Sequence, residues 1–298
     1  MKLLRQALAV AGYNFRQWHK NPRVFITFAL AFILCFLLSD KIVAFAEKYE
    51  NTTQILEAFI WTFGDSDSIL LTSLLLVFLF ADMPFLSSGT PFYLHRTTRG
   101  IWLLGQAIYI SAASLIYLVF ILLSTSVVCM QNAFPGNIWS TASAMIGYGD
   151  ASETLSLPVT VKTMEMTTPY QCAATIFLLM LFYTLVMVFI MLLFNLLKGQ
   201  IAGVISVFLF SVYGFLLNPS TIKTILQLRD EEMYKANVLV GWLSPLNHAT
   251  YEMHNFGYDL LPTLHQTYLI FGVLIAVLFA ASLMAVRHYS FVFTGTDG

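Results

Sequence analysis

Residues 172–217 read CAATIFLLM LFYTLVMVFI MLLFNLLKGQ IAGVISVFLF SVYGFLL, and Lys198 is the one charged residue among them. As a single helix rising about 1.5 Å per residue, this stretch would run about 70 Å, more than twice the ~30 Å hydrocarbon thickness of a bilayer. Lys198-Gly199-Gln200 is the natural break. The stretch therefore reads as two crossings joined by a tight hairpin, Cys172–Leu196 and Ile201–Leu217. Working outward, four more apolar runs have similar length: Val24–Ala44, Ser68–Ser88, Leu103–Cys129 and Thr267–Val286. The sequence predicts an all-α membrane protein with six transmembrane helices.

Composition excludes the soluble alternative. The chain is 58% hydrophobic and 10% charged, whereas soluble domains carry about 25% charged residues. A soluble core could not cover that much apolar surface without large exposed patches. The first run has a basic flank, but no small-residue cleavage site follows it, so it reads as a retained anchor and not as a signal peptide.

The charges are sorted along the chain. Lys2, Arg5, Arg16, Lys20, Arg23, Arg96, Arg99, Lys198 and Arg287 fall in the N-terminus, two connections and the tail, against only Asp82 and Asp297. The other connections hold the remaining six basic residues and fourteen acids. The positive-inside rule places the first set in the cytoplasm. Both termini are then cytoplasmic, as an even number of spans requires.

Residues 1–23 carry Leu4, Leu8, Ala11, Phe15 and Trp18 at helical spacing, with Arg5 and other basic residues elsewhere on the wheel. That pattern predicts an amphipathic helix in the membrane interface, with Trp18 at headgroup depth. It serves either as an anchor or as a collar that touches a partner. Asn21-Pro22 turns the chain into the bilayer. After the second run comes SSGTPFYLHRTTRGIW, residues 87–102. Gly89 and Pro91 break the span, aromatic and basic residues follow, and Trp102 marks re-entry. Short basic connections of this kind suit the docking of a soluble subunit.

Cys35 lies within a span, while Cys129 and Cys172 stand at opposite ends of one outer loop. The two form a disulfide in an oxidising exterior or remain unpaired boundary residues; spacing does not decide between them. Asn51-Thr52-Thr53 matches a glycosylation acceptor. Asp82 reads either as a proton relay or, better, as a structural partner of Arg96 or Arg99 near the end of its span. His248, Glu252 and His254 lack the zinc-helix pattern of two histidines four apart with a glutamate between them. Asp230-Glu231-Glu232 reads as a solvated face, with a gate or a receptor for a cationic substrate as the alternative. The basic residues are few and hug the membrane, which argues against nucleic acid. No Gly-x-x-x-x-Gly-Lys-Ser/Thr loop is present, so any nucleotide chemistry must come from another chain.

The chain resembles the permease subunits of type-2 ABC transporters, mainly exporters. The likeness rests on length, six spans, the opening amphipathic helix, and the pattern Gly89, Thr90, Tyr93, Arg96, Arg99, Trp102 after the second span. Trp242-Leu243-Ser244-Pro245-Leu246 matches the entry to an outer re-entrant helical element before the last span. The outer loops 130–170 and 219–264 look longer than in many members. The resemblance implies one permease domain over 1–298. It would comprise an interface helix (1–23), spans one to three (24–129) with a coupling segment (86–102), an outer loop (130–171), spans four and five (172–217), a second outer loop with the re-entrant element (218–266), and the last span and tail (267–298). It implies two partner ATPase subunits carrying the ATP and Mg, and a second permease copy or paralogue in the cell membrane, in bacteria the inner membrane. Gly89, Tyr93, His95, Arg96, Arg99 and Trp102 would contact the ATPase, and Arg5, Phe15 and Trp18 would belong to the interface helix. Thr72, Ser73, Ser206, Ser211 and Tyr213 would line the transport path, with Gly203 and Gly214 allowing close helix approach. The cargo expected is a lipid, peptide, drug or glycan precursor moved outward. The competing reading is an ATP-independent carrier or channel, though no repeat relates the two halves. An intramembrane enzyme is disfavoured, because the spans hold no nucleophile–base or metal cluster.

Overall fold

The computed structural model describes residues 2–85, 97–149, 159–257 and 259–289. Its helices are α1 (Lys2–Arg16), α2 (Pro22–Lys48), α3 (Glu57–Phe63), α4 (Ser66–Phe80), α5 (Arg99–Val128), α6 (Thr141–Tyr148) and α7 (Val161–Met166). They continue with α8 (Pro169–Lys198), α9 (Gln200–Leu216), α10 (Pro219–Leu226), α11 (Met233–Leu243), α12 (Pro245–Ala249) and α13 (Leu264–His288). Two short strands, β1 (Thr53–Gln54) and β2 (Ala133–Phe134), pair in parallel. Four helices, α2, α5, α8 and α13, are long and apolar enough to cross a membrane, and two bent pairs, α3–α4 and α9–α10, raise the number to six if each is one span.

The sequence marks most of these boundaries. Asn21 Oδ1 accepts from the Arg23 N–H at 3.0 Å and Pro22 follows at the first helical position, so α2 starts where the chain can satisfy its free donors. Thr263 and Gln266 form a reciprocal capping box at the start of α13. Gly199, at φ +91°, makes the turn between α8 and α9 that other residues resist. One expectation is corrected. The second run was to reach Ser88, but α4 stops at Phe80. Pro84 lacks the N–H that a continuing helix needs, and it disfavours helical backbone at Met83. At its other end α4 meets α3 at 91°, with Asp65 capping the new helix through the Ser68 N–H at 3.1 Å.

Helix α8 is the axis of the bundle. It packs against α3, α4, α5, α9, α12 and α13, whereas α2 and α13 keep most of their surface outward. The starts of α2, α5 and α9 gather at one end with the ends of α4, α8 and α13. Arg23 pairs there with Asp82, and Asn195 Nδ2 donates to the Met83 carbonyl at 2.7 Å. This basic end is opposite a loop end built from β1, β2 and the short helices. All three cysteines are free thiols and buried, so the Cys129–Cys172 alternative resolves in favour of unpaired boundary residues.

Candidate functional site

At the basic end, α1 folds back onto α5. Its buried face is Ala7, Val10, Ala11 and Asn14, while Leu3, Leu4 and Leu8 stay exposed. The expected stripe is therefore split between the protein and its surroundings. Close approach depends on Gly105, where an added Cβ would lie 2.6 Å from Val10 Cβ and 2.8 Å from the Ala7 carbonyl oxygen. Asn14 Nδ2 donates to Gln106 Oε1 at 3.0 Å in the buried seam. Trp18 Nε1 donates to the Tyr109 hydroxyl at 2.7 Å, and the Phe15 ring meets Tyr109 edge-on at 4.8 Å. Phe15 and Trp18 thus anchor the N-terminal segment to α5, and Arg5 remains exposed.

Of the coupling residues, Gly89, Tyr93, His95 and Arg96 lie outside the described residues. Arg99 opens α5 and reaches across the bundle. Its Nη1 donates to the Val286 carbonyl at 3.2 Å and the Arg287 carbonyl at 2.5 Å. Those carbonyls belong to the last turn of α13, where a helix leaves acceptors unsatisfied and gathers partial negative charge. Trp102 is fully buried, so it acts on any surface only through packing. Asp82 takes Arg23 as a partner; of the two expected, Arg99 turns to α13 and Arg96 lies outside the described residues.

The five path residues do not share a surface. Thr72, Ser73 and Ser211 are buried within the protomer. The Ser206 hydroxyl donates back to the Gly203 carbonyl at 2.8 Å. Tyr213 is exposed and donates to the Leu243 carbonyl at 3.2 Å. An open apolar cleft of about 650 Å³ does lie between α2, α4 and α9, with Arg23, Asp82 and Gln200 at its polar end and Ile26, Phe78 and Ile205 on its walls. None of the five lines it.

The loop end carries the buried polar groups that sequence reasoning missed. The Glu57 carboxylate accepts from the Ser140 N–H at 2.7 Å, the Ser140 hydroxyl at 2.5 Å and the Gln54 N–H at 3.1 Å. Ser140 Oγ in turn accepts from the Ser143 N–H that opens α6. Trp61 Nε1 donates to Ser143 Oγ at 2.8 Å and its ring lies 5.1 Å from Trp139. No spacing signal links Glu57 to a serine 83 positions away.

His248 and His254 do come together, but around a hydroxyl. Thr267 Oγ1 is 2.9 Å from His248 Nδ1 and 3.0 Å from His254 Nε2. Their other nitrogens face the carbonyls of Trp242 and Tyr251, each at 3.1 Å. A carbonyl only accepts, so in the neutral rings those nitrogens carry the hydrogens. The Thr267 hydroxyl then gives its one hydrogen to one ring at a time. Among the described residues no group of three or more His, Cys, Asp or Glu side chains could hold a metal.

Burial pushes His254 down to about 4, with His248 acting in the same direction and the Tyr251 carbonyl pulling back up. Burial also lowers His248. A histidine depressed on folding stabilises the fold above its unfolded pKa, and that contribution is lost as pH falls through the folded value. Acidification through the range set by the His254 shift from 6.5 to about 4 should therefore destabilise the protein, by about 3 kcal/mol from His254 alone. Melting curves of the wild type and His254→Gln across this range check it. The variant should show a flatter pH dependence, and identical slopes would refute the assignment.

The chain matches no protein-family model, and no curated protein or solved structure is significantly similar to it.

Proposed function

We propose that this chain is the membrane-spanning subunit of an ATP-driven exporter of the type-2 ABC kind. Two copies, or this chain and a paralogue, pair in the cell membrane with the basic end in the cytoplasm, and two separate ATPase subunits dock on that end. The observation that carries the reading is mechanical. Helix α1, the start of α5 and the end of α13 are tied into one layer by Asn14–Gln106, Trp18–Tyr109 and the Arg99 contacts. A soluble engine pressing on residues 86–102 or on α1 would then move the first half of the chain and its last helix together. The exposed Leu3, Leu4 and Leu8 suit an α1 lying against headgroups. The apolar cleft beside α2, α4 and α9 suits coverage by lipid or by the second copy.

The reading is tested by purifying the chain with a candidate ABC ATPase and measuring ATP hydrolysis in nanodiscs. A stable complex whose hydrolysis responds to the permease supports the proposal, and the absence of both removes it. Arg5 is exposed, so Arg5→Glu should leave the melting temperature unchanged. It should weaken ATPase docking by up to about fivefold, the effect of about 1 kcal/mol for an exposed ion pair. Transport driven by an ion gradient without ATPase would favour the carrier reading.

A further inference from the structure

A cavity of about 550 Å³ opens at the loop end between α4, α9, α11 and the turn after α12. That volume is in the range of small-molecule sites. Its lining includes the apolar Val240, Leu246 and Leu261 and the charged Asp67, Glu252 and Lys162. The lysine is already neutralised: its Nζ pairs with Asp259 at 2.9 Å and donates to the Glu252 and His254 carbonyls at 3.3 Å each. Among the described residues no hydrogen bond or ion pair is made by the side-chain carboxylates of Asp67 and Glu252, although the charge of Lys162 acts on Glu252. Burial raises the Glu252 carboxyl and the nearby charge of Asp65 raises it further, with Lys162 pulling back only in part. A positive group placed beside it would relieve both effects. The last turn of α9 and the first residues of α10 form a further wall.

We infer that this cavity is a binding site for a monovalent organic cation with an apolar body. The charged group would sit between Asp67 and Glu252, and the body against Val240, Leu246 and Leu261. An anion of the same shape meets the same two carboxylates and is disfavoured. Discrimination of this kind can use a repulsive element as well as an attractive one. The inference goes beyond the exporter proposal and needs no ATPase, so either can fail alone.

The test is equilibrium dialysis of radiolabelled tetraphenylphosphonium against the full chain in nanodiscs, with empty nanodiscs of the same lipid subtracted. Saturable binding is expected. Glu252→Gln and Asp67→Asn should each weaken it by about tenfold, the effect of about 1.4 kcal/mol. Asn237 lines the cavity from the exposed face of α11, so Asn237→Trp should fill the space and abolish binding with both carboxylates intact. Asp230→Asn, an exposed acid outside the cavity, should bind as the wild type does. Melting temperatures confirm that each variant is folded. The inference is overturned by no binding above empty nanodiscs or by equal binding of tetraphenylborate. It is also overturned if Asn237→Trp still binds, or if both charge variants stay within about twofold of wild type.

Discussion

Glu57→Ala is expected to lower the stability of the protein by about 4 kcal/mol, as the sum of several buried polar groups left unmatched at about 1–3 kcal/mol each. Glu57 is fully buried. Its carboxylate is the acceptor for the Ser140 and Gln54 N–H groups and the Ser140 hydroxyl. Alanine removes the acceptor and leaves a cavity. The damage should spread, because Ser140 also caps α6 and β1 pairs with β2 beside it. Glu57→Gln keeps the shape and one acceptor oxygen, so its effect should be about half as large. Reversible unfolding in mixed detergent micelles measures both. A Glu57→Ala variant within about 1 kcal/mol of wild type would show that the loop end is not held by this residue.

Gly105→Leu should detach α1 from α5. The first added carbon already meets Val10 Cβ at 2.6 Å and the Ala7 carbonyl at 2.8 Å. A backbone carbonyl in a helix cannot swing aside as a side-chain tip can. Displacing α1 also separates Asn14 from Gln106 and Trp18 from Tyr109. Overpacking alone costs about 1–3 kcal/mol, and the broken buried amide pair adds about 1 kcal/mol or more. Hydrogen exchange should show lost protection over 2–16 with little change in α8, and Gly105→Ala should give a weaker version of the same pattern. Unchanged protection in α1 would mean that the seam tolerates a side chain, contrary to the geometry.

Both residues lie where the sequence was least legible, and the reason is physical. Helix length and apolarity are local properties, so α2, α5, α8, α9 and α13 appear in the sequence within a few residues of their observed ends. The early stop of α4 was also within reach, since Pro84 announces it. The bend between α3 and α4 was not. Glu57–Phe63 is too short to show a period, and all seven of its residues are buried, which gives no polar face to read. Pairings across the chain leave no trace in any window. Glu57 finds Ser140 across 83 positions and Arg99 finds Arg287 across 188. Arg99 carried a signal, a cation in a short basic connection, but its reach to the end of α13 could only be seen in three dimensions. The polar path residues show the opposite limit. Serine and threonine in an apolar helix were visible, yet which face they took depended on packing.

The seating of α1 has a consequence for how the molecule is made. Asn14 waits for Gln106 and Trp18 for Tyr109, separations of 92 and 91 residues. During synthesis, the amphipathic helix leaves the ribosome long before its groove exists. Until the third long apolar segment has been inserted, the lipid surface is the natural resting place for its leucines, and its inward-facing asparagine stays solvated. Helix α1 is therefore a latch that closes only after the chain has been made as far as Tyr109.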